Sequence, residues 1–238
     1  MNKEAVATVF TSRTGGSFAT PVDAVAERLQ HIDAFLFDWD GVFNNGFKQG
    51  ETGSGFSEAD SMGTNLLRFG YWLIHGRLPF FGIITGELNP AAVALAEREH
   101  YNAIYFKTRN KLAALEHLQQ AFDLEPQRIA YGFDDVLDLP IARSCGLRFL
   151  VTRKSSPLFD EYVKQEKLCD YLSGQTGGDH AVREICELIL GLFGQYEQVV
   201  TLRSTFDAKY KDYLDLRNAG KTKRFSYNEQ SGKIENNT

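Results

Sequence analysis

Two aspartates, Asp38 and Asp40, close an apolar run and flank Trp39 in the stretch FLFDWDGVFNNG. Side chains on a strand repeat every two residues, so both carboxylates can project the same way from a strand end. Mutual repulsion and desolvation disfavour such a pair. Either the two lie in solvent at a turn, where aspartate is a favoured residue, or a cation holds them. Three later positions supply what the second case needs. Thr85-Gly86 follows PFFGII, Lys111 follows AIYF at the head of a helical pattern, and Asp134-Asp135 follows RIAYGF, with Asp138 one turn on. Hard oxygen ligands, a hydroxyl beside backbone N–H donors, and an ammonium group suit Mg²⁺ and a phosphate, because Mg²⁺ prefers oxygen ligands and shares them with substrate phosphates. In that chemistry Asp38 attacks phosphorus and forms an aspartyl-phosphate. Asp40 protonates the leaving oxygen and later deprotonates the attacking water. Thr85, the Gly86 N–H and Lys111 bind the charge of the transferring group. Each piece alone has a plainer role as turn, helix cap or solvated lysine. Their joint order along the chain carries the chemical reading.

Such residues meet only if the elements before them share one edge. The runs AFLF, PFFGIIT, AIYF, RIAYGF and LRFLVT have strand length and are almost wholly apolar, as strands buried on both faces are. Helical patterns separate them, such as KLAALEHLQQAF with Leu112, Leu115, Leu118 and Phe122 on one face. Strands alternating with helices predict an α/β fold: a mainly parallel sheet between two helical layers. Ligands of such sheets collect at the carboxyl ends of the strands. Between Asp40 and Met62 the glycine-rich GVFNNGFKQGETGSGFSEAD reads as a small β-hairpin flap. It is too short for a large cap domain. Residues 1–31 read as an irregular polar start followed by a short helix from Pro21, and 32–194 as the main domain. In 195–238 a helical extension carrying Tyr196, Val199, Tyr210 and Tyr213 leads into a Lys/Asn/Gly-rich tail, expected to be mobile.

Composition narrows the function classes. The net charge is −5, with no basic tract in the main body, which argues against nucleic-acid partners. No apolar run has the length of a membrane span. Three scattered cysteines without a CxxC pair indicate neither a disulfide framework nor a zinc site. These features read as a soluble, reduced, cytoplasmic protein; the chemistry of the carboxylates and lysine adds a small phosphorylated metabolite as its substrate.

The motifs DWDGV, ITG, NKLAAL and FDDVLDLP, in that order, resemble the haloacid dehalogenase (HAD) superfamily of phosphotransferases. With DLPIARSCGL and GGDHAVREICELIL they are similar, over roughly residues 32–193, to the 3-deoxy-D-manno-octulosonate 8-phosphate phosphatases and their nonulosonate 9-phosphate relatives. The resemblance implies a HAD-like Rossmannoid three-layer αβα fold and a Mg²⁺-dependent phosphatase for a sugar or 3-deoxy-2-ulosonic acid phosphate. It implies Asp38 as nucleophile and Mg²⁺ ligand, and Asp40 as acid/base, lending the metal its backbone carbonyl. Asp134 would be the other carboxylate ligand, with Asp135 in the outer shell and Thr85, Gly86 and Lys111 on the phosphate. Asp60 and His180 would face the substrate. Such proteins are commonly tetramers whose neighbouring subunits close the site, so a homo-oligomer is expected.

The chain departs from this pattern at four places. Phe133 stands where a glycine is usual, with Gly132 one residue earlier; Glu87 and Ala59 stand where arginines are usual; and the GGRG turn reads GGDH. Three of these changes remove or reverse positive charge where a sugar acid would bind. Two rival readings use the same residues. One is a retired phosphatase serving as a binding or assembly subunit. The other is a receiver-like domain with Asp38 as a stable phosphoacceptor, against which Asp40 supplies the group that turnover needs.

Overall fold

The computed structural model describes residues 1–50 and 53–237. The chain begins with α1 (Lys3–Arg13), β1 (Ser17–Phe18), α2 (Val22–Leu29) and β2 (Ala34–Phe37). After a long loop come α3 (Glu58–His75), β3 (Phe80–Ile84), α4 (Pro90–Arg98), β4 (Ala103–Phe106), α5 (Lys111–Phe122) and β5 (Ile129–Phe133). Then follow α6 (Leu139–Ala142), β6 (Leu147–Leu150), α7 (Pro157–Gln165), β7 (Tyr171–Leu172) and α8 (Ala181–Leu192). The chain closes with α9 (Tyr196–Ser204), α10 (Ala208–Asn218), β8 (Lys223–Asn228) and β9 (Lys233–Asn236).

The strands form one sheet in the order β1-β7-β6-β5-β2-β3-β4-β8-β9. Pairing is parallel except for β1 with β7 and β8 with β9. β2 lies between β3 and β5, and all four of its residues are buried. One face of the sheet is covered by a cluster that takes Leu29 from α2, Leu67 and Phe69 from α3, Leu95 from α4, and Ile185 and Leu188 from α8. The other takes Leu115 and Leu118 from α5, Ile141 from α6 and Val163 from α7. This is the expected three-layer αβα arrangement. Among the described residues no helix is long and apolar enough to cross a membrane.

The displaced glycine has a packing reason. Phe37 pairs in register with Gly132, and a Cβ on Gly132 would come within 2.5 Å of the Phe37 ring. Phe133 stacks on Tyr131 at 5.9 Å within the α5–α7 layer. Its ring is therefore core and leaves the carboxylates that follow it undisturbed.

Three segments differ from the sequence expectation. The N-terminus is helical rather than irregular: Asn2 Oδ1 accepts from the Ala5 N–H at 2.8 Å, and Val6 is buried against Gly191 of α8. One buried apolar position in eleven residues left little periodicity to read. The flap contains no strand among its described residues, and residues 51–52 within it lie outside them. Asn44 takes up the backbone groups that a hairpin would pair, bonding the Trp39 and Gly55 carbonyls at 3.3 and 3.2 Å and the Gly46 N–H at 2.8 Å. The polar tail forms β8 and β9 instead of a mobile end, apart from residue 238, which lies outside the described residues. Phe225 anchors it, stacking on Tyr105 at 5.0 Å.

Candidate active site

Asp38 follows β2 directly, and its N–H still bonds the Gly132 carbonyl at 2.9 Å. The ladder thus fixes the backbone at Asp38. Its carboxylate is buried and accepts from Lys111 Nζ at 2.6 Å. Lys111 opens α5 and is itself buried, with its ammonium also on Asp138 Oδ1. The Tyr131 hydroxyl donates to the same Asp138 oxygen at 2.5 Å, and the Asp135 N–H bonds its other oxygen at 3.2 Å. Burial pushes the Asp38 carboxyl up to about 7; Lys111 opposes this, and the charge of Asp138 adds to it. Burial works against the Lys111 ammonium too, but the charges of Asp38 and Asp138 outweigh it and hold Lys111 above the ordinary lysine range.

Asp134 follows β5. Both of its carboxylate oxygens are buried without a hydrogen-bond partner, although the Arg153 guanidinium abuts Oδ2. Gly41 makes room for it: a Cβ there would stand 2.1 Å from Asp134 Oδ2, and its φ of +89° suits glycine. Carboxylate oxygens of Asp38, Asp134 and Asp138 lie within 4.8 Å of one another. A buried carboxylate without hydrogen bonds, beside further carboxylates, fits an oxygen-seeking divalent cation. Asp135 is exposed and caps the turn at 136–138, accepting from the Val136 N–H at 2.7 Å.

Asp40 belongs to a second network. Ser54 Oγ donates to its Oδ1 at 2.8 Å, and Asn89 Nδ2 and Lys48 Nζ donate to Oδ2 at 3.0 and 2.5 Å. Asn89 Nδ2 also bonds Thr85 Oγ1 at 2.8 Å. Thr85 itself is held at the end of β3 through the Tyr105 carbonyl at 2.8 Å. Gly86 is next, with Glu87 paired to Arg109 at 2.7 Å beside it.

The structure therefore gathers Asp38, Asp134, Lys111, Asp40, Thr85 and Gly86 at the carboxyl ends of β2, β3 and β5 and the head of α5. It places Asp60 and His180 differently. Asp60 is fully buried, accepts from the Arg183 N–H at 2.9 Å, and lies 3.5 Å from His180 Nδ1. It secures the first turn of α8, and burial pushes it up to about 6. His180, its neighbour, remains half-exposed. Sequence reasoning missed Asn89, Lys48, Ser54, Tyr131 and Arg153. Asn89-Pro90 reads as a helix cap, yet the Asn89 side chain makes no cap bond and bridges Asp40 to Thr85 instead.

No protein-family model matches the chain. Over 195 residues it is 27% identical to the 3-deoxy-D-manno-octulosonate 8-phosphate phosphatase of Escherichia coli K12, covering 79% of this chain and 96% of that protein. The enzyme of that name from Yersinia pestis superposes with a TM-score of 0.61 at 28% identity, covering 74% and 89%. The Moraxella catarrhalis enzyme, in complex with a magnesium ion, a phosphate ion and a KDO molecule, gives 0.62 at 27%, covering 78% and 99%. Fold, motif order and these likenesses are those of the HAD-type hydrolases and support an enzyme that cleaves phosphomonoesters. Within that class the chain resembles the 3-deoxy-D-manno-octulosonate 8-phosphate phosphatases.

Proposed function

We propose that the chain is a Mg²⁺-dependent phosphatase for a small phosphorylated metabolite, a sugar or 3-deoxy-2-ulosonic acid phosphate, working through an aspartyl-phosphate. One observation carries this reading: Asp38 accepts from the Lys111 ammonium and lies within 4.8 Å of the Asp134 carboxylate, which has no hydrogen bond, while Asp40 is held on a separate network. Two carboxylates in different surroundings can do different jobs. Asp38, with Lys111 on one oxygen, attacks phosphorus, forming the new P–O bond as the bond to the alcohol oxygen breaks. Asp40 gives that oxygen its proton, then takes one from the water that cleaves the aspartyl-phosphate. The Thr85 hydroxyl, the Gly86 N–H and Lys111 bind the phosphoryl oxygens. Asp38, Asp134 and the Asp40 carbonyl would hold Mg²⁺, whose charge offsets repulsion between carboxylate and phosphate. Asp135 sets the turn that presents Asp134, and Asp138 orients Lys111.

The substrate class rests on the relatives. Their names carry a sugar-acid phosphate, and the charge changes at Glu87 and Ala59 require other cations to meet an acid group. A homo-oligomer, by resemblance a tetramer, and a cytoplasmic site of action complete the proposal.

Asp38→Asn removes the nucleophile and keeps its size. Phosphate release from a sugar-phosphate panel with Mg²⁺ is expected to fall by at least about 10³-fold, a loss typical when a nucleophile is removed. Unchanged release would sink the mechanism.

A further inference from the structure

Lys48 lies in the loop that follows β2, ten residues beyond the nucleophile position. Its ammonium bonds Asp40 Oδ2 at 2.5 Å and stands 3.5 Å from Asn89 Oδ1. Ser54 covers the other Asp40 oxygen at 2.8 Å, and Asn89 shares Oδ2 at 3.0 Å. Three donors fill three of the carboxylate's four acceptor sites, and a donor that yields clears room for a leaving oxygen to exchange a proton with Asp40. Asn89 is buried and tied to Thr85, and Ser54 is buried with the Phe47 carbonyl as a second partner at 3.0 Å. Lys48 is the donor with a long, freely turning stem, and its side chain is 44% exposed. It is the one that leaves at least cost, because an exposed ion pair contributes little.

Charge balance points the same way. As a general acid, Asp40 carries a proton and is neutral. Its ion pair with Lys48 then no longer exists, and a full positive charge remains at the side where the alcohol half of the substrate departs. Arg109, on the other flank of the Thr85–Asn89 loop, already has Glu87 as counter-ion at 2.7 Å. Lys48 alone of this pair loses its partner during the reaction. An anion on the alcohol half of the substrate would take the place of Asp40.

We infer that Lys48 is a specificity-determining residue that exchanges Asp40 for a carboxylate on the leaving-group half of the substrate. The inference rests on the assignment of Asp40 as acid/base, but its test reads binding without turnover. Two non-hydrolysable phosphonates serve as probes: a hydroxy-phosphonobutanoate, and the dihydroxybutylphosphonate in which an alcohol replaces the carboxylate. Titration calorimetry in Mg²⁺ gives the dissociation constant of each for the wild type, Lys48→Met and Lys48→Arg. The wild type is expected to bind the carboxylate probe roughly fivefold more tightly than the alcohol, the span of a partly exposed ion pair. Lys48→Met should erase that preference while binding the alcohol probe as before, and Lys48→Arg should keep it. Equal affinities in the wild type, or a preference that survives in Lys48→Met, would overturn the inference. Loss of hydrolysis in Asp38→Asn is independent of this result, so a failure of either reading is seen separately.

Discussion

One ammonium between two buried carboxylates leaves a net negative charge in a low-dielectric place. Lys111 stands there between Asp38 and Asp138, while the Asp134 carboxylate has no hydrogen bond and only the Arg153 guanidinium against it. The cluster relieves its excess charge by binding either a proton or a cation, and these compete. Below about 7 Asp38 takes up the proton, because burial raises its carboxyl. A metal ion must then displace that proton, so its affinity falls as pH falls through this range. Above it the carboxylate is already ionised and affinity levels off. Apparent Mg²⁺ affinity is expected to rise by up to about tenfold per pH unit below 7 and to flatten above, with proton release visible as buffer-dependent heat in calorimetry. A flat profile across that range would show that Asp38 is not the group the metal must deprotonate. Asp38, Asp134, Thr85 and Lys111 were legible in the sequence because each follows an apolar strand, and strand ends are set by local pattern. Asn89 and Lys48 were not. Their partner, Asp40, is 49 and 8 residues away, and only the path of the loops brings them together.

The same distinction holds among the elements. Strands β2 to β6 were readable as continuous apolar runs, because burial on both faces leaves no polar alternation. The tail hid its strand because one residue supplies most of its anchoring. Phe225 packs against Tyr105, His117 and Phe122, with centroids 5.0, 4.6 and 6.0 Å away. Around it Lys223, Arg224, Asn228 and Lys233 keep the composition polar. β8 lies beside β4 in parallel register, and β4 leads through the loop carrying Arg109 to Lys111 at the head of α5. The hairpin therefore covers an edge that would otherwise expose β4. Phe225→Ala is expected to destabilise the fold by about 3 kcal/mol, the usual range for a phenylalanine lost from a core. Urea unfolding would show it as a lower midpoint. A change below about 0.5 kcal/mol, the level of a surface substitution, would mean that the tail contributes nothing to the core.

For the molecule as a whole, the question is what covers the edge where the site opens. Phe47 is 67% exposed in the loop after β2, Val136 and Leu137 are 57% and 56% exposed after β5, and Leu158 is 85% exposed in the first turn of α7. All four follow the carboxyl ends of parallel strands. Single exposed apolar residues need no explanation, but a set that follows the strand ends along one edge is where an interaction surface is expected. A second copy of the chain fits the proposed oligomer, since closed symmetric assemblies reuse one surface on each subunit. An assembly through this edge would also shield the site from water, which strengthens the pairing of Lys111 and Lys48 with their carboxylates. Sedimentation equilibrium is expected to give a mass of at least twice 26.8 kDa. Leu158→Lys should shift it toward the monomer, because a charge forced into a desolvated contact is costly. A wild-type monomer at all concentrations would remove the oligomer from the proposal and leave the loop after β2 as the cover this chain supplies over Asp40.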